Sequence, residues 1–290
     1  MNDEEHSRTA LMAAAARAAH LVVDREPFIF EDTVVQALLG GNAEELIGYH
    51  RAYGEHLILS GVRAQVTARS HYTERRLAEL AAEGMPQYVI LGAGLDTFAQ
   101  RYPLTERVAV FEVDHPATQR WKRDLLTAAG ITAPGELAFV GVDFETDALL
   151  DRLTACKFDP ATPALVSWLG VSMYLTGQAV GATLAEIGRM APGTELIMEY
   201  ALPETLRDEK GAAFAQMAMA AAAERGEPWL SFFTPEELSA TLAEHGLEVT
   251  EHVRQEEAVA PELWRRNDAL LPTDACRLVR ATVGAGGGGR

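Results

Sequence analysis

The sequence predicts an α/β fold: a doubly wound, mostly parallel sheet of seven strands, with a helical extension before it and a helical lid insertion near its end. Three observations carry this expectation. From Gln87 onward, short apolar runs of four to eight residues alternate with helical segments. The first run leads directly into the glycine turn Gly92-Ala93-Gly94. The 290 residues, 48% hydrophobic and 23% charged, suffice for one large core. Runs rich in Val, Ile, Leu and Phe are those of strands buried on both faces, and strand–helix alternation selects a parallel sheet with right-handed crossovers.

In chain order, residues 1 to 60 read as helices and loops, with helical stretches at Arg8 to Val23 and Asp32 to Leu39. From Gly61 to Ala82 the apolar positions Val62, Val66, Leu77 and Leu80 recur near helical spacing, and Gly84 with Pro86 ends the helix. Five strands follow: Gln87 to Leu91, Arg107 to Val113, Leu137 to Val142, Ala164 to Trp168 and Thr194 to Tyr200. Glu204 to Arg225, rich in Ala and Met with no strand before it, reads as a helical insertion over the sheet's carboxyl edge. Thr234-Pro235-Glu236-Glu237 is a capping box with proline at the first helical position, and Gly246 ends that helix. Leu247 to Val253 and Cys276 to Val283 close the sheet. This divides the chain into an N-terminal extension or lid at 1–60, one domain at 61–283 with its insertion near 204–230, and a flexible glycine tail at 284–290.

Twenty-five basic against 42 acidic residues give a formal charge of −17, which repels a phosphate backbone or an anionic lipid surface. Neither nucleic acid nor a membrane is expected as partner. Cys156 and Cys276 stand far apart without metal-type companions, so no metal site and no disulfide framework are expected. The acidic start Met-Asn-Asp-Glu-Glu is the opposite of an export signal, and the alanine run Ala13 to Ala19 is interrupted by Arg17. A cytoplasmic location is expected.

Val89-Ile90-Leu91-Gly92-Ala93-Gly94-Leu95-Asp96-Thr97 is a strand, a glycine turn and a helix start, where a ligand approaches the backbone because glycine has no Cβ to obstruct it. Asp114 ends the next strand, 20 residues past Gly94, where a carboxylate accepts both hydroxyls of an adenosine ribose. That pair suits a nicotinamide dinucleotide or S-adenosylmethionine. Thr97 stands where a dinucleotide site wants its third glycine, and Asp96 places negative charge in the turn that would face a pyrophosphate. A cationic sulfonium tolerates that charge.

These residues, with Phe111-Glu112-Val113-Asp114-His115-Pro116, Ser167-Trp168-Leu169-Gly170-Val171-Ser172-Met173-Tyr174-Leu175-Thr176 and Glu199-Tyr200-Ala201-Leu202-Pro203, carry a resemblance over about Gly61 to Val283. The chain resembles the leucine carboxyl methyltransferase-like family of class I S-adenosylmethionine-dependent methyltransferases, including its bacterial natural-product O-methyltransferase branch. The resemblance implies a Rossmann-like methyltransferase sheet and S-adenosyl-L-methionine as cofactor. It implies that Gly92, Ala93 and Gly94 lie against the methionine part, that Asp114 holds the ribose, and that Asp143 and Phe144 read the adenine edge. Arg69 would pair with the cofactor's carboxylate, although Arg63, Arg75 and Arg76 stand nearby as alternatives. The chain departs from the family twice: Arg69-Ser70-His71 replaces a frequent Arg-Thr-Arg, and Leu169 replaces a frequent glutamate, leaving backbone carbonyls around Leu169 to accept from the cofactor's ammonium.

Methyl transfer from a sulfonium is an in-line displacement that positioning alone can drive. A carboxylate, with a reference pKa of about 4, is already a nucleophile at neutral pH, whereas a phenol at about 10 wants a base. The eight histidines, His6, His20, His50, His56, His71, His115, His245 and His252, form no linear cluster of metal or triad type. No catalytic base is therefore assigned. Met173, Tyr174, Tyr200, Trp229, Phe232 and Phe233 are the candidate pocket residues, and the Met-containing stretch Phe214 to Met219 is a candidate lid. The leading expectation is an O-methyltransferase for a carboxylate or hydroxyl of a small secondary metabolite. A protein carboxylate as acceptor, a cofactor-binding regulatory module, a non-methylating reaction and an NAD-dependent oxidoreductase stand as alternatives. The oligomeric state is not legible.

Overall fold

Polar–apolar patterning resolves into a single seven-stranded sheet in the computed structural model, which describes residues 7–101 and 107–285. The strands are β1 (Gln87–Leu91), β2 (Ala109–Asp114), β3 (Leu137–Gly141), β4 (Ala164–Trp168), β5 (Glu195–Ala201), β6 (Leu247–Arg254) and β7 (Cys276–Val283). Their order is β3-β2-β1-β4-β5-β7-β6, parallel throughout except for β7, which runs antiparallel to β5 and β6.

Alternation along β1 supplies both cores. Val89 and Leu91 point to one face, whose core they share with Val180, Leu184, Leu238 and Leu242 of helices α8 (Gly177–Ile187) and α10 (Pro235–Glu244). Tyr88 and Ile90 point to the other, under Ala64, Ala68, Tyr72 and Leu77 of α4 (Leu57–Ala82). The capping box of α10 is present in both directions: Glu237 N–H donates to Thr234 Oγ1 at 3.1 Å, and Thr234 N–H to Glu237 Oε2 at 2.9 Å.

Before α4 come α1 (Arg8–Val23), α2 (Val35–Leu38) and α3 (Ala43–Tyr53), which share a cluster of Ala14, Ala15, Ala18, Val35 and Ile47 with Leu95 from the sheet's edge. Two elements differ from expectation. α4 starts at Leu57 because His56 caps it, so the expected boundary at Gly61 falls inside one helix; Gly61 itself is where Phe214 packs, 2.5 Å from where a Cβ would stand. The stretch 32–39 keeps only the short α2, because Asp32 accepts Val35 N–H at 3.0 Å and starts the helix late. In the insertion a 3-10 turn, Glu204–Leu206, precedes α9 (Glu209–Glu224), capped by Asp208. Residues 286–290 of the expected tail lie outside the described residues.

Among the described residues no helix is long and apolar enough to cross a membrane, and no group of three His, Cys, Asp or Glu could hold a metal ion.

Candidate functional site

β1 sits between β2 and β4 with Leu91 paired to Val113 on one side and Trp168 on the other. Strand order reverses at β1, so the chain leaving the three carboxyl ends cannot close over it and a crevice opens there. It is a cavity of about 1180 Å³. That exceeds the roughly 300–1,000 Å³ of a one-ligand site.

Gly92 and Gly94 have φ of +67° and +48°, left-handed values that glycine adopts without a Cβ penalty. A Cβ on Gly92 would lie 2.2 Å from Val171, and one on Gly94 2.9 Å from Ala10 of α1. The absent side chains thus admit β4's loop and α1, and the turn's remaining surface lines the cavity. Asp114 accepts the N–H of Gly94 through Oδ2 at 2.6 Å and that of His115 through Oδ1 at 2.7 Å. Each oxygen keeps a lone pair for a further donor. Burial raises the Asp114 carboxyl, and the two N–H bonds oppose that rise.

Thr97, which displaces the third glycine of a dinucleotide motif, donates its hydroxyl to Asp32 at 2.7 Å. Asp32 also accepts from Arg17 at 2.9 Å, and Arg17 reaches the carbonyl of Leu95 at 2.6 Å. The N-terminal helices are in this way fastened to the glycine turn.

The structure separates the four candidate arginines. Arg63 is fully buried in a bidentate pair with Asp24, both bonds 2.8 Å, and also reaches Gly54 O and His50. Arg76 pairs with Glu195 and Glu79, and Arg75 lies over the Tyr72 ring. Arg69 lines the cavity, one guanidinium nitrogen on Glu199 at 2.5 Å and the rest of the fork stacked on Gly170. Gln65 donates to the other Glu199 oxygen at 2.8 Å.

Asp143, Phe144, Leu169, Met173 and Tyr174 join Arg69, Gly92, Ala93, Gly94 and Asp114 around this one cavity. Asp143 accepts Glu145 N–H at 3.0 Å, and the Phe144 ring packs 6.2 Å from Trp168. Burial pushes the Tyr174 phenol up to about 12. The Met173 carbonyl accepts Leu230 N–H at 2.6 Å, which holds the segment after α9 over the cavity with Trp229 in its wall.

Tyr200 is a correction. It does not line the cavity: the pleat of β5 sends Glu199 toward α4 and Tyr200 to the opposite face, where its hydroxyl meets His252 Nδ1 at 2.9 Å and His252 Nε2 meets Ser239 Oγ at 2.9 Å. Phe232 and Phe233 also lie off the cavity, under Arg207 and in the α10-side core.

Sequence reading passed over Glu199, which braces Arg69 from behind the cavity wall, and two groups of the wall itself. Glu199 was legible as an acid inside an otherwise apolar strand, which when buried needs a cationic partner. Glu227, across the mouth, accepts the N–H of Thr9 at 2.9 Å in the first turn of α1, and nothing in its local sequence signals this. His50 is 4% exposed and belongs to the cavity wall. Its Nδ1 lies 3.2 Å from Arg63 Nη1, which only donates, so Nδ1 accepts and the neutral ring carries its proton on Nε2. His115 caps helix α6 (Pro116–Ala129) through Nδ1, accepting Ala117 N–H at 3.3 Å, which fixes the same tautomer. Both cavity histidines have thus committed their basic lone pair.

The profile of the leucine carboxyl methyltransferase family matches residues 10–188. YktD of Bacillus subtilis is 36% identical over 305 residues, covering 97% of this chain and 99% of that protein. A Streptomyces coelicolor relative is 31% identical over 257 residues, 87% of each chain. Both are named, by inference, as S-adenosyl-L-methionine-dependent methyltransferases. Among solved structures, a duf574 family protein of Streptomyces avermitilis aligns with a TM-score of 0.62 at 19% identity, covering 97% of this chain and 98% of that one. A Thermobifida fusca protein, described by inference as a methyltransferase, aligns at 0.58 and 21% over 89% and 97%. These two share the fold. On the profile match and the full-length relative, the chain belongs to the leucine carboxyl methyltransferase family of class I S-adenosylmethionine-dependent methyltransferases.

Proposed function

We propose that this methyltransferase transfers its methyl group to an oxygen of a small metabolite, a carboxylate in preference to a hydroxyl. The observation that carries this reading is the committed lone pair of both cavity histidines, His50 to Arg63 and His115 to Ala117 N–H. A carboxylate acceptor is ionised at neutral pH and needs no base, whereas a phenol would need one.

The residues fit the cofactor. Asp114 has a free lone pair on each oxygen for the ribose hydroxyls, and Arg69 has donors beyond the one given to Glu199 for an amino-acid carboxylate. Asp143 is an acceptor for an exocyclic amine, with the Phe144 backbone N–H beside it, and the carbonyl of Leu169 is available to an ammonium. When bound, S-adenosylmethionine supplies a methyl group activated on a sulfonium. The chain's own contribution is positioning: Arg69, held by Glu199, fixes one end of the cavity, and α9 with the segment around Leu230 excludes water from the other. A cavity above the one-ligand range leaves room for an acceptor beside the cofactor. The nicotinamide alternative gives way to the family assignment.

The test is a screen of small aromatic and aliphatic acids against the matching phenols and alcohols, with S-adenosylhomocysteine release as readout. Base-labile methyl ester from the acids supports the reading. Turnover confined to phenols overturns the carboxylate preference, and binding of S-adenosylhomocysteine without turnover on any acceptor favours a regulatory module.

A further inference from the structure

The cavity continues well past the residues assigned to the cofactor. Leu59, Val62, Val66 and Arg69 all line it, and their spacing of three, four and three residues makes one stripe along α4. From Arg69 back to Leu59 the stripe spans about 15 Å at 1.5 Å per residue. Arg69 marks the cofactor end, so the N-terminal half of α4 floors a second chamber.

Its walls are aromatic on several sides: Tyr49 and Tyr53 from α3, Phe214 from α9, Trp229 from the segment after it and Tyr174 from the loop after β4. Tyr49 and Tyr53 are 56% and 60% exposed with ring centroids 5.1 Å apart, so the pair stands open at the rim instead of packing into the core. Into this chamber His50 presents its ring. Arg63 holds Nδ1, and Nε2 carries the proton yet has no hydrogen-bond partner among the described residues. That donor, on a side chain 4% exposed, fixed in tautomer and open to the cavity, is available to a ligand oxygen. Arg63, which holds His50, precedes Arg69 by six residues on α4, about 9 Å of helix rise, so the His50 donor belongs with the chamber beyond the cofactor end and would meet an oxygen other than the one methylated.

We infer that the acceptor is a flat aromatic acid carrying a second, hydrogen-bond-accepting oxygen at its far end, and that His50 selects it by donating from Nε2 to that oxygen. The inference rests on the reading of the chain as a methyltransferase for small acceptors and adds to it the acceptor's shape and a specificity-determining residue. Aromatic faces stack on the Tyr49, Tyr53 and Trp229 rings, which a flexible aliphatic chain cannot match.

The test uses the full chain with saturating S-adenosylhomocysteine and three probes: 4′-methoxybiphenyl-4-carboxylate, biphenyl-4-carboxylate and decanoate, each titrated by calorimetry. Wild type should bind the methoxy acid about tenfold more tightly than biphenyl-4-carboxylate, as one neutral hydrogen bond provides, and decanoate most weakly. His50→Leu should erase the difference between the two biphenyl acids. His50→Gln, which can still accept from Arg63 and donate to the ligand, should keep most of it. A separate titration of each variant with S-adenosylhomocysteine reports whether it is folded. Equal binding of the two biphenyl acids, preference for decanoate, no binding of any probe, or discrimination that survives His50→Leu overturns the inference. Wild type that fails to bind S-adenosylhomocysteine overturns the function reading beneath it.

Discussion

Gly94 donates its backbone N–H to Oδ2 of Asp114 at 2.6 Å, so the turn after β1 and the acid ending β2 are one unit. Asp114→Ala removes the acceptor for Gly94 and His115 together with any ribose contact. A hydrogen bond to a charged group is worth about 1.5–3 kcal/mol, so S-adenosylhomocysteine affinity should fall about 100-fold in the Ala variant and about tenfold in Asp114→Asn, which keeps one oxygen. Calorimetry with NAD as control reads this, and unchanged affinity in both variants would remove Asp114 from the site.

Gly170 makes a second, independent prediction. Its φ is +70°, and a Cβ there would stand 2.5 Å from the Arg69 guanidinium. Gly170→Ala should destabilise the fold by about 1–2 kcal/mol through the left-handed backbone and push Arg69 out of place, weakening S-adenosylhomocysteine binding about tenfold. Gly130, with φ of +66° and open space where its Cβ would go, is the matched control. If Gly130→Ala and Gly170→Ala behave alike in urea melts and in binding, Arg69 is not positioned by this contact.

The sheet and the glycine turn were legible because their signals are local. Val89 to Thr97 carries its strand, turn and helix start in nine consecutive residues, and Thr234 to Glu237 declares its capping box in four. Asp114 was legible from its distance to Gly94. What was not legible depends on contacts between distant segments. Arg69 could not be told from Arg63 by spacing, because the difference lies in their partners: Asp24, 39 residues away, buries one, and Glu199, 130 residues away, holds the other at the cavity. Tyr200 was misplaced for a related reason. It does lie at a strand's carboxyl end, but which face it takes depends on the pleat, and a shift of one residue exchanges the cavity for the α10 side.

Glu112 and Lys122 form a buried ion pair behind β2, each about 1% exposed, with Glu112 also leaving Oε1 unpaired. Burial pushes the Glu112 carboxyl up to about 7, with the Lys122 ammonium opposing. Removing one partner strands the other: Lys122→Met should cost about 3–5 kcal/mol in urea unfolding, while the double change Glu112→Leu, Lys122→Met should recover most of that loss. A single variant as stable as wild type would mean that the carboxyl is held neutral without help from Lys122.

His50 should make the chain acid-sensitive in a defined window. Burial, then the Arg63 charge, pushes its imidazole down to about 4 from an ordinary 6.5, while Asp24 pulls weakly the other way. Between those values the unfolded chain binds a proton that the folded chain refuses, so stability is fully present above pH 6.5 and is lost as pH falls toward 4. Of the groups facing the same cluster, Asp24 is held below its ordinary value by its bonds to His20 and Arg63, which overcome burial, so it titrates beneath this window. At 1.36 kcal/mol per pH unit of difference, His50 alone should account for about 2 kcal/mol of the loss between pH 7 and pH 5. His71 and His252, also lowered by burial, add to the total, so the comparison that isolates His50 is with His50→Gln, whose amide oxygen can still accept from Arg63 without titrating. Urea midpoints at the two pH values should differ less for the Gln variant than for wild type. Parallel losses would show that the His50 ring takes up its proton in the folded chain as readily as in the unfolded one.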